Sequence, residues 1–186
     1  TLDTHLDGLR QLFEFDVDTI MCHNMRLLAG AETNSAETRQ EYGFRTRYRL
    51  IHGDAGAYKA PDGSVIHCFE YEESLRQTTT MTESEVFYLR KLHFLVDFFW
   101  NNNVYKTLLK LLKKYGVNPI EVLKQIMDSN NKSVDISGKR IKQFWNEFDQ
   151  LSQDEWFDSR EQIETYFLNH NNFKLLFDQD KLNIHF

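Results

Sequence analysis

Residues 82–100 read TESEVFYLRKLHFLVDFFW, and this stretch constrains the fold more than any other. Its opening TESE is a capping box: the Thr82 hydroxyl can accept from the Glu85 amide while the Glu85 side chain reaches back to the Thr82 amide. The pattern predicts a long helix from about Glu83 to Trp100, bounded by Asn101 to Asn103. Its apolar residues Val86, Phe87, Leu89, Leu92, Phe94, Leu95, Val96, Phe98, Phe99 and Trp100 outnumber what one stripe can hold. Such a helix must be buried on more than one side, so it needs helical neighbours.

The sequence beyond it supplies them. Helices are predicted at Val104 to Tyr115, stopped by Gly116; at Pro119 to Met127; at about Gly138 to Leu151; and at Asp154 to Leu168. The tail FKLLFDQDKLNIHF is expected to add a short helix and an extended end. Before residue 82 the character is mixed. Leu6, Leu9, Leu12 and Phe13 have helical spacing over residues 3–14, whereas Val17, Ile20 and Cys22 suggest a strand across 17–28. Ser35 precedes a short helix that ends at Gly43, and the turn Pro61-Asp62-Gly63 leads into a strand, SVIHCFEYEE. The fold class is therefore mainly α with a small α/β portion, divided into residues 1–81 and 82–186.

With 186 residues, 41% of them apolar, the chain can bury a core, and its net charge of -6 argues against general nucleic-acid binding. No apolar run approaches the roughly 20 residues needed to span a bilayer. A cytoplasmic location and no membrane partner are the expectations. The helix KTLLKLLKK at 106–114 is basic and amphipathic, but in an acidic chain it reads as leucines in the core and lysines in solvent.

Cys22-His23 and His67-Cys68 carry zinc-binding side chains. If both pairs lie on strands, neighbours point to opposite faces, and the spacing is not that of a metal motif. No metal site is expected. No phosphate loop, Ser/His/Asp set or HExxH motif is present, so no catalytic residue is assigned.

The segment RTRYRLIH raises a different question, because strand alternation sends Arg45, Arg47 and Arg49 to one face. Glu70, Glu72 and Glu73 are their expected structural partners, brought opposite by antiparallel pairing across the 53–63 loop. A guanidinium left facing a cavity would be ready to fork onto a carboxylate or phosphate.

Three stretches, LLAGAETNSAETRQEYGFRTRYRLIHGDAGAY, EYEESLRQTTTMTESE and LRKLHFLVDFFWNN, together carry a family likeness. They resemble the region that follows the cluster-binding half of cobalamin-binding radical S-adenosylmethionine proteins. The matching elements are Leu27 to Ala31, Thr46 to Leu50, Gly56 to Tyr58, Glu70 to Glu73, Thr80-Met81 and Arg90 to His93, within about residues 15–103. Ala29 and Ala31 stand where the family has proline and threonine, and His52 to Ala55 differ from its common version.

The resemblance implies the last strand or strands and helices of a partial radical-enzyme barrel in residues 1–81, followed by a C-terminal helical domain. It implies a parent enzyme that uses S-adenosylmethionine, an iron-sulfur cluster held by a CxxxCxxC loop and, in many members, cobalamin. Neither that loop nor a cobalamin-binding domain occurs here, so no cofactor is assigned to these residues and none of them is expected to be catalytic alone. By resemblance, Leu28 and Gly30 would lie near the adenine of S-adenosylmethionine, and one of Arg45, Arg47 and Arg49 would contact substrate or cofactor. The expected partner is the rest of the same chain; the first residue, Thr1, fits a piece of a longer protein. Unpaired strand edges near 17–28 would then favour self-association of the fragment. The rival expectation is an autonomous helical interaction module presenting Phe94, Phe98, Phe99 and Trp100 to a partner protein.

Overall fold

The computed structural model describes residues 1–128 and 136–174, with the backbone alone described at 52–54 and 136–137. Within them lie helices α1 (Leu2–Glu14), α2 (Ala36–Glu41), α3 (Glu83–Val96), α4 (Lys106–Lys114), α5 (Pro119–Asp128), α6 (Ile136–Asp154), α7 (Arg160–Leu168) and α8 (His170–Lys174). Strands β1 (Arg45–Lys59) and β2 (Val65–Gln77) form an antiparallel hairpin. The protein is thus mainly α with a small sheet. The expectation for the tail beyond residue 174 lies outside the described residues.

Two compact units each draw on two stretches of chain: residues 1–23 with 80–150, and residues 24–79 with 151–186. The change of sequence character near residue 82 falls close to one of the crossings between them.

The first unit is helical. The capping box on α3 forms as its sequence predicts, with Thr82 accepting from the Glu85 amide and Glu85 accepting from the Thr82 amide. The α-helix stops at Val96 and continues as one π-helical stretch, Asp97–Asn101. A π turn inserts an extra residue and shifts the side chains that follow it. Here Trp100 becomes fully buried, meeting the Phe13 ring edge-on at 5.0 Å, and its indole Nε1 donates to the Val17 carbonyl. Phe94 packs among Phe144, Trp145 and Phe148. Of the four aromatics proposed as a partner-binding face, only Phe98 is exposed.

Residues 17–28 do not form the expected strand. Beyond α1 they run without regular structure, apart from a single antiparallel bridge between Arg26 and Ser74. The reason at Ile20 is a side chain acting in place of a neighbouring strand. Asn101 accepts from the Ile20 amide and donates to its carbonyl, both at 2.9 Å, while a second bond to Asp97 holds the amide in place. Asn101→Ala would strip both backbone groups of a buried residue, and a loss of about 1–3 kcal/mol is expected from its urea midpoint.

The lysines of α4 also depart from expectation. Lys113 donates to the carbonyls of Phe13 and Glu14, Lys106 to that of Asp18, and Lys110 pairs with Asp16. Cations are drawn to the unpaired carbonyls and negative dipole at the end of α1. Leu109 is buried, but Leu108 and Leu111 are about half exposed, at 50% and 48%. Lys106, Lys110 and Lys113 therefore bind protein, while Leu108 and Leu111 face solvent.

His5 of α1 and His93 of α3 share a hydrogen bond, Nε2 to Nε2, at 2.8 Å. Burial, reinforced by the charges of His5 and His23, pushes the His93 imidazole down to about 4 from its ordinary 6.5. The folded chain then binds fewer protons than the unfolded one between these values, so the stability contribution is present above about 6.5 and lost as pH falls toward 4. Thermal melts across that window should show a declining midpoint, with the decline reduced in His93→Gln.

The second unit is built on the hairpin. Its tight end spans Ala60 to Ser64, closed by bonds from the Ala60 amide to the Ser64 carbonyl and from the Gly63 amide to the Ala60 carbonyl. The strands continue through the glycine-containing part of β1, with a register irregularity between Leu50 and Ala55. Both edges of the hairpin gain a short addition. The Leu27 amide donates to Glu73 and Met25 accepts from Leu75 on one side, while Tyr48 and Phe157 exchange backbone bonds on the other. Because Phe157 is occupied in this way, α7 begins at Arg160, behind the Ser159 cap, and not at Asp154, where α6 ends.

Candidate functional site

The hairpin register places Arg47 opposite Ser74 and Arg49 opposite Glu72. Alternation then sorts the polar residues into two faces. One carries Arg45, Arg47 and Arg49 with Glu72, Ser74 and Arg76. The other carries Thr46, Tyr48 and Leu50 with Tyr71, Glu73 and Leu75.

The β2 half of the first face is buried despite its charge: Glu72 is 6% exposed, Ser74 0% and Arg76 2%. Burying a carboxylate in this way requires compensating charge and hydrogen bonds. Arg49 Nε donates to Glu72 Oε1 at 2.5 Å, Ser74 donates to the same oxygen at 3.2 Å, and Arg26 pairs with the other oxygen. Arg49 also reaches Glu155 at 3.3 Å. The guanidinium groups of Arg49 and Arg76 lie over the Trp156 ring, 5.0 and 4.4 Å from its centre. Trp156 is itself buried, so the ring meets both cations away from bulk water, where such contacts are strongest.

The other face uses a second carboxylate. Arg39 of α2 forks onto Glu73 with bonds of 2.8 and 2.7 Å, and the Thr46 hydroxyl donates to it. Burial would raise the Glu73 proton affinity, but the Arg39 and Thr46 bonds outweigh it and hold the carboxyl below its ordinary value. Glu73 is therefore fixed as an anion that positions α2 against the sheet.

The sequence-predicted residues separate accordingly. Among the three arginines and three glutamates, Arg49 and Glu72 form the close buried pair. Arg47 instead pairs with Asp158 at 3.0 Å, Arg45 donates to Gln77 at 3.3 Å, and Glu70 is exposed. Leu28 has an exposed side chain, while its carbonyl accepts from the Ala31 amide and the Asn34 side chain. Those two bonds use the carbonyl within its own turn. Gly30 takes a φ of +79° there, a conformation that favours glycine.

Sequence reasoning missed Arg26, Arg39, Arg76, Glu155 and Trp156. One signal was available for the last two: Ser159 followed by Gln162 is a helix-start pattern, which separates DEWFD from the helix after it. Comparison with family models and with curated proteins finds no match to the chain.

The residues do not fit an iron-sulfur cluster. The CxxxCxxC loop brings three thiolates, whereas the chain contains only Cys22 and Cys68. Burial, with Asp97 adding to it, pushes the Cys22 thiol up to about 11, which keeps it protonated at neutral pH. What the arrangement offers chemically is a buried ionic network, with Arg26 and Arg49 on Glu72, Arg49 also on Glu155, and Trp156 beside Arg49 and Arg76.

Proposed function

We propose that this chain forms the end of a radical S-adenosylmethionine enzyme barrel and its C-terminal, mainly helical domain, acting as wall or lid without catalysing a reaction alone. The observation that carries this reading is the attachment of Met25 to Leu27 along β2, the strand that bears Glu72 and Glu73. That attachment places the start of the Leu28 to Gly30 turn beside the Arg26–Glu72–Arg49 network. The family resemblance joins the same turn to the cofactor side of a barrel. Arg49 and Glu72 would hold the wall in shape, and the exposed Arg45, at the start of β1, would be the arginine that meets a substrate carboxylate. Cluster and cobalamin chemistry would belong to residues outside this chain.

The test is to isolate the native species anaerobically from its source cells with an antibody raised to this polypeptide. Support would be a polypeptide several times longer than 186 residues that contains iron and converts S-adenosylmethionine to 5'-deoxyadenosine on reduction. An iron-free native species of this chain's own size would overturn the reading. That result would favour the helical interaction module, for which the half-exposed Leu108 and Leu111 of α4 are the better face.

A further inference from the structure

The half of the hairpin nearer its turn carries an open sheet edge. The Ala60 amide bonds the Ser64 carbonyl at 2.8 Å and so sets the phase of the ladder behind it. In an antiparallel pair, residues that exchange bonds alternate with residues whose amides and carbonyls point outward. Tyr58 with Ile66 and Gly56 with Cys68 are therefore the bonded pairs, while Val65, His67 and Phe69 turn their backbone groups away from β1. The same phase holds farther along β2, where the outward groups of Glu73 and Leu75 bond Leu27 and Met25. Among the described residues, nothing bonds the outward groups of Val65, His67 and Phe69. The strand is nonetheless braced on one face, since His67 stacks on Phe173 at 4.0 Å and Phe69 meets Phe167 at 5.4 Å. Val65 and Ile66 stand 59% and 52% exposed.

We propose that a second copy of the chain occupies this edge, with β2 pairing antiparallel to β2 about His67. Proteins guard open edges with charge, proline or a bulge. The run VIHCF, residues 65–69, contains no Asp, Glu, Lys, Arg or Pro. An identical strand is the occupant that its side chains match. Pairing about His67 sets Val65 opposite Phe69 and Ile66 opposite Cys68 of the second copy, apolar on apolar each time. It sets Glu70 opposite Ser64, so like charges do not meet across the pair. Antiparallel is also the direction in which residues 25–27 already add to the same edge, through the Arg26–Ser74 bridge. Association stops at two copies, because the outer edges of the joined sheet are then both β1, whose corresponding stretch carries Lys59, a residue type that blunts an edge. The inference needs nothing from the radical-enzyme reading, since it uses only the hairpin's own hydrogen-bonding pattern.

The test is sedimentation velocity of the purified chain across a concentration series at neutral pH under reducing conditions. A monomer–dimer equilibrium in the micromolar range is expected. Ile66→Lys should weaken it roughly tenfold or more, because each dimer carries the added charge twice at the joined edge. Leu108→Asp, on the exposed face of α4, should leave it unchanged. Ile66→Cys reads the register: mild oxidation should link it to Cys68 of the second copy, since residues facing each other on antiparallel strands lie within disulfide reach. Ile66 is exposed, so neither substitution there removes a core contact. A chain that stays monomeric throughout, a dimer untouched by Ile66→Lys, a dimer lost in Leu108→Asp, or the absence of a covalent dimer from oxidised Ile66→Cys overturns the proposal.

Discussion

Glu72→Ala should lower the stability of the chain by about 3–5 kcal/mol, the cost of leaving a buried charge without its partner. The carboxylate is 6% exposed and receives Arg26, Arg49 and the Ser74 hydroxyl, so its removal takes away the short ion pair of Arg49 and leaves it only the longer contact to Glu155. Chemical denaturation followed by tryptophan fluorescence would measure the loss, with Trp156 reporting directly on the site. Glu70→Ala, on the same strand but at an exposed position, should stay within about 0.5 kcal/mol of the parent. Equal effects at the two positions would refute the assignment of Glu72 as the organising carboxylate. Replacing Glu72 and Arg49 together by apolar residues of similar size should recover much of the loss, because both desolvated charges then disappear.

Trp100→Ala should be as damaging in the helical unit, again about 3–5 kcal/mol. The side chain is fully buried, meets Phe13 edge-on, and closes a hydrogen bond to Val17. Trp100→Phe separates these contributions: it keeps most of the apolar area and removes only the indole donor, for an expected loss nearer 1 kcal/mol. Thermal melts of the two variants would check the order. If alanine costs no more than phenylalanine, Trp100 is not the anchor of the π turn.

Much of this architecture was legible because its signals are local. The Thr82 capping box, the Ser35 start and Gly43 stop around α2, and the Pro61–Gly63 turn each declare themselves within a few residues. Arginine alternation likewise placed Arg45, Arg47 and Arg49 on one face. The choice of acids was harder, since Glu72 and Glu73 are neighbours on a strand and must point opposite ways. One serves Arg49; the other serves Arg39 on the far face. Glu155 and Asp158 approach the arginines from more than 100 residues away, and nothing in local spacing announces that. The segment at Ile20 had the composition of a strand, but a side-chain amide supplies its bonds, and periodicity cannot distinguish the two. In α4 the lysine and leucine faces were recognised, but the chemistry that orients them lies in the carbonyls ending α1.

The way each compact unit gathers two distant stretches of chain bears on biosynthesis. During translation the hairpin can form once Gln77 has left the ribosome, yet its Tyr48 edge must wait for Phe157, and Arg49 must wait for Glu155 and Trp156. A nascent chain paused between those points would hold an arginine-rich, half-covered ribbon, open to chaperones or to pairing with a neighbouring polysome product. Silent codon changes that lengthen this interval should therefore lower soluble yield while leaving the finished protein's melting temperature unaltered.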